Sequence, residues 1–325
     1  MTFSPFATLL HADAGVGALA ILVAFALDLA FGEPPPRIHP VVWIGHALSS
    51  LGAPWPAQPP KGAFLRGMMA WLGLAAICVA LAIAAEFAIG YAADRGASMA
   101  GRSASLTRLG LHGILLGVVL KPLLAWRMLR DEVSAVERAL GDSLQAGRER
   151  LRRIVGREVA TLSETVVRES ALESLAENLN DSWVAPLFWF VVAGLPGAAL
   201  YRFANTADAM WGLRGRFEWA GKWAARADDV LSFLPARITA LALALAAWHW
   251  PRGLRRQAAV TASPNGGWPM GTMALALDVR LSRPGYYVLN PDGRSACPDD
   301  IARGLAIAAR AAWGAVVVAS LLELA

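Results

Sequence analysis

The sequence predicts an all-α protein of the polytopic integral membrane class, with a charged helical excursion on the cytoplasmic side. Of its 325 residues, 56% are hydrophobic and only 17% are charged, and the mean hydropathy is +0.44. Soluble domains carry about 45–50% apolar and about 25% charged residues, so this composition indicates a bilayer protein. Several apolar stretches are long enough to cross about 30 Å of hydrocarbon. These stretches are 14–31, 67–93, 107–126, 183–203, 231–250 and 305–322.

The first half of the chain is expected to cross the membrane between rigid turns. No basic segment with a cleavage site precedes the first stretch, so a removed signal peptide is not expected. That stretch ends near Asp28, which fits a helix cap, a partner for an arginine or a catalytic acid. A Pro/Gly linker at 53–62 leads to the second span, whose Glu86 is expected near an interface. The third stretch contains Lys121-Pro122, which predicts a short or kinked span.

Residues 127–182 change to a charged helical pattern. Leu129, Val133, Val136 and Leu140 share one face of a first helix. The run T-L-S-E before V-V predicts the cap of a last, acidic helix. Frequent arginines in this excursion favour the cytoplasmic side.

Gly, Pro and Gly occur together halfway along 183–203, in the run G-L-P-G (194–197). Such residues make an uninterrupted helix unfavourable, and broken backbone is tolerated where it lines a protein cavity. Either a re-entrant hairpin or one kinked crossing helix fits this pattern. The whole chain, 1–325, is interpreted as a single membrane domain that contains the excursion.

The net charge of +5 comes mainly from arginines in loops, which indicates anionic headgroups as partners and no nucleic acid. Two cysteines form no metal spacing and no disulfide framework. A phosphate-binding loop of the G-x-x-x-x-G-K-[ST] type is also missing from the sequence. Any nucleotide would therefore have to bind through metal-bridging carboxylates and arginines.

Acidic residues recur every four positions at the end of the excursion, at Glu169, Glu173, Glu177 and Asp181. On a helix this spacing makes one slowly winding stripe of carboxylates. Like charges at this spacing destabilise a helix, so we expect neutralisation by a cation, arginine partners or a positively charged substrate. A solvated charged face is the alternative, but interleaved Ser170, Ser174 and Asn178 favour a site.

Other polar clusters also adjoin apolar stretches, and polar groups at membrane depth tend to mark a site. They suggest one buried polar cavity. In 224–237, carboxylates that can hold Mg²⁺ stand beside guanidinium groups that suit phosphate, although internal Arg–Asp pairs explain them equally well. His39 fits either a turn residue or a ligand, and S-P-N-G-G-W-P (263–269) fits an anion-holding loop or a plain turn.

Taken together and in order, these clusters resemble the CobD/CbiB family of cobalamin biosynthesis, the adenosylcobinamide-phosphate synthases. The resemblance covers nearly the whole chain, through D-L-A-F-G-E-P-P-P-R-I-H-P-V-V-W-I-G (28–45), V-G-R-E (155–158), E-S-L-A-E-N-L-N-D-S-W-V-A-P-L-F-W (173–189), Y-R-F-A-N-T-A-D-A-M-W-G (201–212), W-A-A-R-A-D-D-V-L-S-F-L-P-A-R-I-T-A (223–240) and S-P-N-G-G-W-P. Glu158, Glu169 and Met270 depart from the family pattern.

The resemblance implies a multi-span inner-membrane ligase whose active site faces the cytoplasm. It would join the free propionate carboxylate of (adenosyl)cobyric acid to (R)-1-amino-2-propanol or its O-phosphate, giving (adenosyl)cobinamide or its phosphate. Mg²⁺ and ATP are implied as cofactors, and other corrinoid-pathway proteins as partners. A membrane sensor related to β-lactamase induction and a corrinoid transporter are the alternatives, the latter favoured by the broken segment.

The roles expected of individual residues follow from their charges and from the family resemblance. The acids expected to steer the ammonium and take its proton are Glu173, Glu177, Asp181 and Asp208. The expected metal ligands are Asp228, Asp229, Glu177 and Asp181. The groups expected to bind phosphate or the corrinoid are His39, Asn178, Asn205, Arg226, Arg237, Asn265 and Trp268.

Overall fold

The computed structural model describes residues 15–52, 55, 60–99, 103–212 and 217–325. This part of the chain is almost wholly helical, which confirms the all-α prediction. The predicted start of the chain and most of the linker 53–62 lie outside the described residues. The α-helices are α1 (Val16–Phe31), α2 (Pro40–Gly52), α3 (Pro60–Ser98), α4 (Ala104–Leu120), α5 (Trp126–Asp142), α6 (Leu144–Leu151), α7 (Glu164–Leu179), α8 (Ala185–Trp211), α9 (Lys222–Leu231), α10 (Phe233–Ala246), α11 (Leu254–Ala258), α12 (Gly267–Leu277) and α13 (Pro298–Leu322).

Four helical stretches of the described chain are long and apolar enough to cross a membrane. They are Gly62–Ser98, Ala104–Asp142, Glu164–Trp211 and Pro298–Leu322, and the bent pair α9 and α10 would make a fifth. The apolar helix α1 is shorter. The prediction of a polytopic membrane fold is therefore confirmed.

The chain forms two compact units, each assembled from separate segments. Unit 1 comprises residues 1–125, 185–231 and 316–325, and unit 2 comprises residues 126–184 and 232–315. The interpretation of 1–325 as one membrane domain stays a prediction.

In unit 1, α8 packs against α2, α3 and α9, while α4 packs against α1 and α3. Large aromatic side chains fill this core. Trp71 and Phe203 lie with ring centroids 5.4 Å apart, and the buried Trp211 donates from its indole N–H to the carbonyl of Leu48 at 3.1 Å. The indole therefore buries its apolar body without leaving its polar group unpaired.

Helix α8 breaks at Ala193 and Gly194, where both residues leave helical backbone angles. Beyond the break the chain folds back on itself. This is seen at Gly197, where an added Cβ would lie only 2.3 Å from the carbonyl oxygen of Trp189. Residues eight apart in a continuous helix are separated by about 12 Å. The break expected at G-L-P-G is thus confirmed, and this close approach favours the hairpin over a gently kinked helix.

The broken half-helix is held by a carboxylate from α3. Glu86 accepts a hydrogen bond from the backbone N–H of Leu195 at 2.8 Å, at the first turn after the break. A carboxylate at this place satisfies an N–H that the break leaves without an intrahelical partner. Glu86 thus has a specific partner within unit 1, and its position near a membrane interface stays a prediction.

A buried ion network joins α1 to the turn after α4. The ammonium of Lys121 lies 3.1 Å from Asp28 and 2.8 Å from Glu33, and Lys121 and Asp28 are almost fully buried. The expected kink is a 3₁₀ turn at Lys121–Leu123. Asp28 thus has a basic partner, as one interpretation of the sequence suggested, and in the described part of the chain that partner is a lysine where an arginine was expected.

Unit 2 contains the predicted excursion, with α5 packed against α6 and α7, and α12 packed against α7, α10 and α11. The four apolar residues predicted to share a face of α5 are all buried. Ser163 caps α7 by accepting a hydrogen bond from Val166 N–H, as the T-L-S-E run predicted. A two-stranded antiparallel hairpin, β1 (Leu281–Arg283) and β2 (Tyr287–Leu289), was not predicted.

Candidate functional site

The acidic stripe of unit 2 runs along α7 and into an irregular turn. Glu169, Glu173 and Glu177 lie on α7, and Asp181 lies in a π-helical turn at Asn180–Val184. Such turns hold one more residue than an α-helical turn, so they redirect the side chains that follow, and they are frequent at functional sites. No pattern in the sequence indicates this turn.

Glu173 is buried and paired with an arginine. One of its carboxylate oxygens lies 2.6 Å from a guanidinium nitrogen of Arg157, which also donates to the Ser170 hydroxyl at 2.6 Å. The other oxygen, Oε1, is buried and receives no hydrogen bond. Arg157 thus neutralises the negative charge of one carboxylate of the stripe. Arginine partners were among the expected ways to neutralise the stripe, but Arg157 was not among the predicted site residues.

Glu169 has a different role from its neighbours on the stripe. Its carboxylate accepts hydrogen bonds from the backbone N–H and the hydroxyl of Ser282 and lies 3.6 Å from the Arg280 guanidinium. It therefore anchors the β-hairpin to α7. This agrees with its departure from the family pattern noted above.

Glu177 differs from both because its side chain is exposed and makes no hydrogen bond or ion pair with any described residue. Its electrostatic neighbours are the carboxylates of Asp181 and Glu173 and the guanidinium groups of Arg283 and Arg157. Gly266 passes close by: a Cβ there would lie 3.2 Å from Oε1 of Glu177. An available carboxylate thus stands between arginines and the backbone of the 263–269 loop.

That loop is the preorganised turn that the sequence predicted. The hydroxyl of Ser263 accepts hydrogen bonds from the backbone N–H groups of Asn265 and Gly266 at 3.2 and 3.3 Å. Arg237 donates to the Asn265 side-chain oxygen at 2.7 Å, and its guanidinium lies 4.8 Å from the ring of Trp268. These three predicted residues are therefore brought together, and Arg237 holds the loop; its binding of phosphate stays a prediction.

Two asparagines of the stripe region are held by hydrogen bonds, and one of them contacts a carboxylate of the stripe. The Asn178 amide donates to the carbonyl and hydroxyl of Ser174 at 2.9 and 3.0 Å, so it is turned back along its own helix. Asn180, which we had not singled out, donates to Asp181 at 2.8 Å and accepts from Thr239 at 3.0 Å. Asn180 thus ties the π turn to α10.

Tyr287 on β2 adds a phenol to this region. Burial, followed by the carboxylates of Glu173 and Glu177, raises the pKa of Tyr287 above its ordinary value. A tyrosine phenol is protonated at neutral pH in any case, so this one can donate a hydrogen bond, and it lies 3.8 Å from the Met270 sulfur. Its position in a three-residue strand explains why sequence reasoning did not assign it a role.

Unit 1 contains the other predicted site residues, and His39 is engaged there by its own turn. One ring nitrogen lies 2.8 Å from Glu33, and the other faces the Val41 N–H at 3.2 Å. Burial alone would raise the pKa of Glu33, but hydrogen bonds from His39 and Lys121 and the lysine charge outweigh it, so this pKa is lowered. These contacts favour the turn-holding interpretation of His39.

Helices α8 and α9 of unit 1 carry the remaining predicted residues, which are Asn205, Asp208, Arg226, Asp228 and Asp229. Asn205 faces Arg202 at 3.5 Å. Asp208 folds over Gly212, where a Cβ would lie 2.0 Å from its carboxylate. Arg226 is exposed and pairs with no acid in the described chain, so internal Arg–Asp locking does not account for it. The convergence of these residues with the stripe of unit 2 stays a prediction.

The described side chains can be compared with the ligands that a metal ion needs. Among the described residues, no three His, Cys, Asp or Glu side chains are grouped to hold a metal. Mg²⁺ in phosphate-transferring sites commonly uses only one or two carboxylates together with substrate phosphates. Glu177 and Asp181 are electrostatic neighbours, and Glu177 makes no competing contact, so this pair fits such a site.

Comparison with known proteins gives a consistent result. The family described as CobD/Cbib protein matches residues 21–311. The cobalamin biosynthesis protein CobD of Rhodobacter capsulatus is 39% identical, over 94% of this chain and 97% of its own length. A probable cobalamin biosynthesis protein CobD of Thermococcus kodakarensis is 36% identical, over 93% of this chain and 94% of its own.

A third relative, a probable cobalamin biosynthesis protein CobD of Methanothermobacter thermautotrophicus, is 34% identical over 83% of this chain and 85% of its own length. No solved structure matches the chain. The family match covers most of the sequence and includes the acidic stripe and the 263–269 loop. The chain therefore belongs to the CobD/CbiB family of cobalamin biosynthesis proteins.

Proposed function

We propose that the protein is a ligase of cobalamin biosynthesis that makes an amide bond. It joins the free propionate carboxylate of (adenosyl)cobyric acid to (R)-1-amino-2-propanol or its O-phosphate. The product is (adenosyl)cobinamide or its phosphate. The partners of the protein are these two substrates, the lipid bilayer and other proteins of the corrinoid pathway.

One observation supports this reaction most directly: the Glu177 carboxylate is exposed, has no partner among the described residues, and lies within electrostatic range of two arginines. An ammonium group is attracted to such a carboxylate, while guanidinium groups attract carboxylate or phosphate. The two substrates carry these opposite charges. The same region also holds a protonated phenol, Tyr287, and the ordered 263–269 loop.

Amide formation from a carboxylate and an amine in water is uphill, so the carboxylate must be activated. Mg-ATP would supply this activation by transferring its terminal phosphoryl group to the carboxylate with release of ADP, and phosphate would leave as the C–N bond forms. The attacking nitrogen must lose protons, and Glu177 is the group placed to accept one. A carboxylate that accepts the amine proton is not also a metal ligand, so Asp181 would hold the metal together with substrate phosphates, and Arg226, Asp228 and Asp229 of unit 1 are further candidates for phosphate and metal.

We also propose that the protein lies in the cell inner membrane with this site facing the cytoplasm. The arginines of the excursion support that orientation, because basic residues are enriched on the cytoplasmic side. The substrates and ATP would then be reached without crossing the bilayer.

The test uses the full chain purified in detergent. Cobyric acid is incubated with the amine or its O-phosphate, each with and without Mg-ATP, and products are identified by mass spectrometry. We expect the coupled product only with Mg-ATP. Absence of coupled product under every condition would refute the ligase, and restored growth of a gene-deleted strain on cobinamide but not cobyric acid would separate it from a sensor or a transporter.

A further inference from the structure

The β-hairpin of unit 2 brings an arginine to the acidic stripe. Arg283 ends β1, and the neighbouring Ser282 is fastened to Glu169 on α7 by its backbone N–H and hydroxyl. A short strand held at this point fixes where the next side chain can reach. Arg283 accordingly lies within electrostatic range of Glu177.

Arg283 differs from the other arginines beside the stripe because its donors are unused. Arg157 forms an ion pair with Glu173 at 2.6 Å, and Arg280 forms one with Glu169 at 3.6 Å. The guanidinium of Arg283 makes no hydrogen bond or ion pair with any residue in the described part of the chain, and its Nε, like that of Arg157 and that of Arg280, is buried without a partner. Its guanidinium stacks over the ring of Tyr286 at 4.7 Å, which holds the group without consuming its donors.

An unpaired guanidinium beside an unpaired carboxylate suits a ligand that carries both charges. Leaving the buried Nε donor without an acceptor is unfavourable, so Arg283 suits an anion that the described chain does not supply. Glu177, within electrostatic range of Arg283, suits a cation. A small molecule with an ammonium group at one end and a phosphate at the other satisfies both side chains at once.

We propose that Arg283 binds the phosphate of a phosphorylated amine substrate and makes the enzyme prefer it to the free amino alcohol. The proposal rests on the amide-forming function proposed above and names the residue that selects the amine. The planar guanidinium matches phosphate through two parallel hydrogen bonds, which a lysine ammonium reproduces only as a point charge.

The experiment compares R283Q, R283K and the wild-type full chain in detergent, with R255Q as control. Arg255 is an exposed arginine of the same unit that pairs with no acid in the described chain. We expect R283Q to raise KM for the aminopropanol phosphate about 10- to 100-fold, because charge-assisted hydrogen bonds are lost. The kcat should change little, since the contact is made equally in ground and transition states.

R283K should give an intermediate KM, and R255Q should behave as wild type. An unchanged KM for the phosphorylated amine in R283Q overturns the proposal. So does a raised KM for cobyric acid instead, which would assign Arg283 to the corrinoid carboxylate, or a wild type that uses both amines equally well. Failure of the wild type to couple any amine would instead refute the ligase function itself.

Discussion

Gly194 lies where the hairpin of α8 turns, and its replacement by alanine is the most informative change to the fold. Its φ is +63°, in the region that favours glycine. A Cβ added there would lie 2.6 Å from Oε1 of Glu86, the oxygen that accepts the hydrogen bond from Leu195 N–H. The substitution therefore strains the backbone and pushes away the carboxylate that caps the second half-helix.

The two effects can be given magnitudes. Gly194 has φ +63° and ψ −157°, a backbone region that is essentially restricted to glycine and costs a residue with a Cβ about 1–3 kcal/mol. Losing the partner of a buried N–H costs about 1–3 kcal/mol more. We expect Gly194→Ala to lower the free energy of unfolding by about 2–6 kcal/mol.

Unfolding by SDS from mild detergent micelles, followed by circular dichroism, measures this change. Gly73→Ala is the matched control, because Gly73 lies on the exposed side of α3 and a Cβ there meets nothing within 4 Å. The control should be neutral or slightly stabilising, since alanine favours helix over glycine. Glu86→Ala should reproduce the hydrogen-bond part of the loss alone.

Equal stability of the Gly194 and Gly73 variants would refute this reasoning. It would mean that the break does not depend on a positive φ or on the contact with Glu86. A stable Glu86→Ala variant beside an unstable Gly194→Ala variant would assign the whole effect to backbone strain.

Three further predictions concern the buried ion pairs. Lys121→Met leaves two carboxylates without their ammonium and should destabilise unit 1 by about 3–5 kcal/mol in the same SDS titration, whereas equal stability would contradict the pairing. The pKa of Glu33 is lowered by folding, so its stabilisation is present above the unfolded pKa and is lost as pH falls through the folded pKa. The free energy of unfolding, measured against pH, should therefore fall at acid pH in wild type and fall less in Lys121→Met. Arg157→Gln should destabilise unit 2, and adding Glu173→Gln should restore part of the loss; strictly additive losses in this double-mutant cycle would argue against the pair.

Local patterns in the sequence predicted those parts of the structure that depend on neighbouring residues. The apolar stretches, the amphipathic face of α5 and the cap at Ser163 all follow from short-range periodicity or pairing. The break at 194–197 was predictable because glycine and proline disfavour helix there. The tight 263–269 loop was likewise indicated by its own residues.

Contacts between distant segments were not predictable in the same way. Lys121 pairs with Glu33 across 88 positions, and nothing near either residue identifies its partner. Glu86 caps Leu195 across 109 positions. The hairpin that brings Arg283 to the stripe has strands of three residues each, too short for a recognisable alternation.

The candidate site was predicted by residue type and only partly by arrangement. The stripe carboxylates share a helix because of their spacing, but which of them remains available depends on the arginines that fold against them. Glu173 is occupied by Arg157, Glu169 holds the hairpin, and Glu177 alone of these three is without a partner in the described chain. That selection required the structure.

The most direct test of the proposed chemistry is amide formation by Glu177→Gln, measured by mass spectrometry beside Glu149→Gln. Glu149 is an exposed acid of the same unit whose carboxylate contacts only Gln145 among the described residues. Removal of a general base slows a reaction by about 10²- to 10⁴-fold, so we expect that loss in the Glu177 variant and normal turnover in the control. Near-normal amide formation by Glu177→Gln would contradict the account.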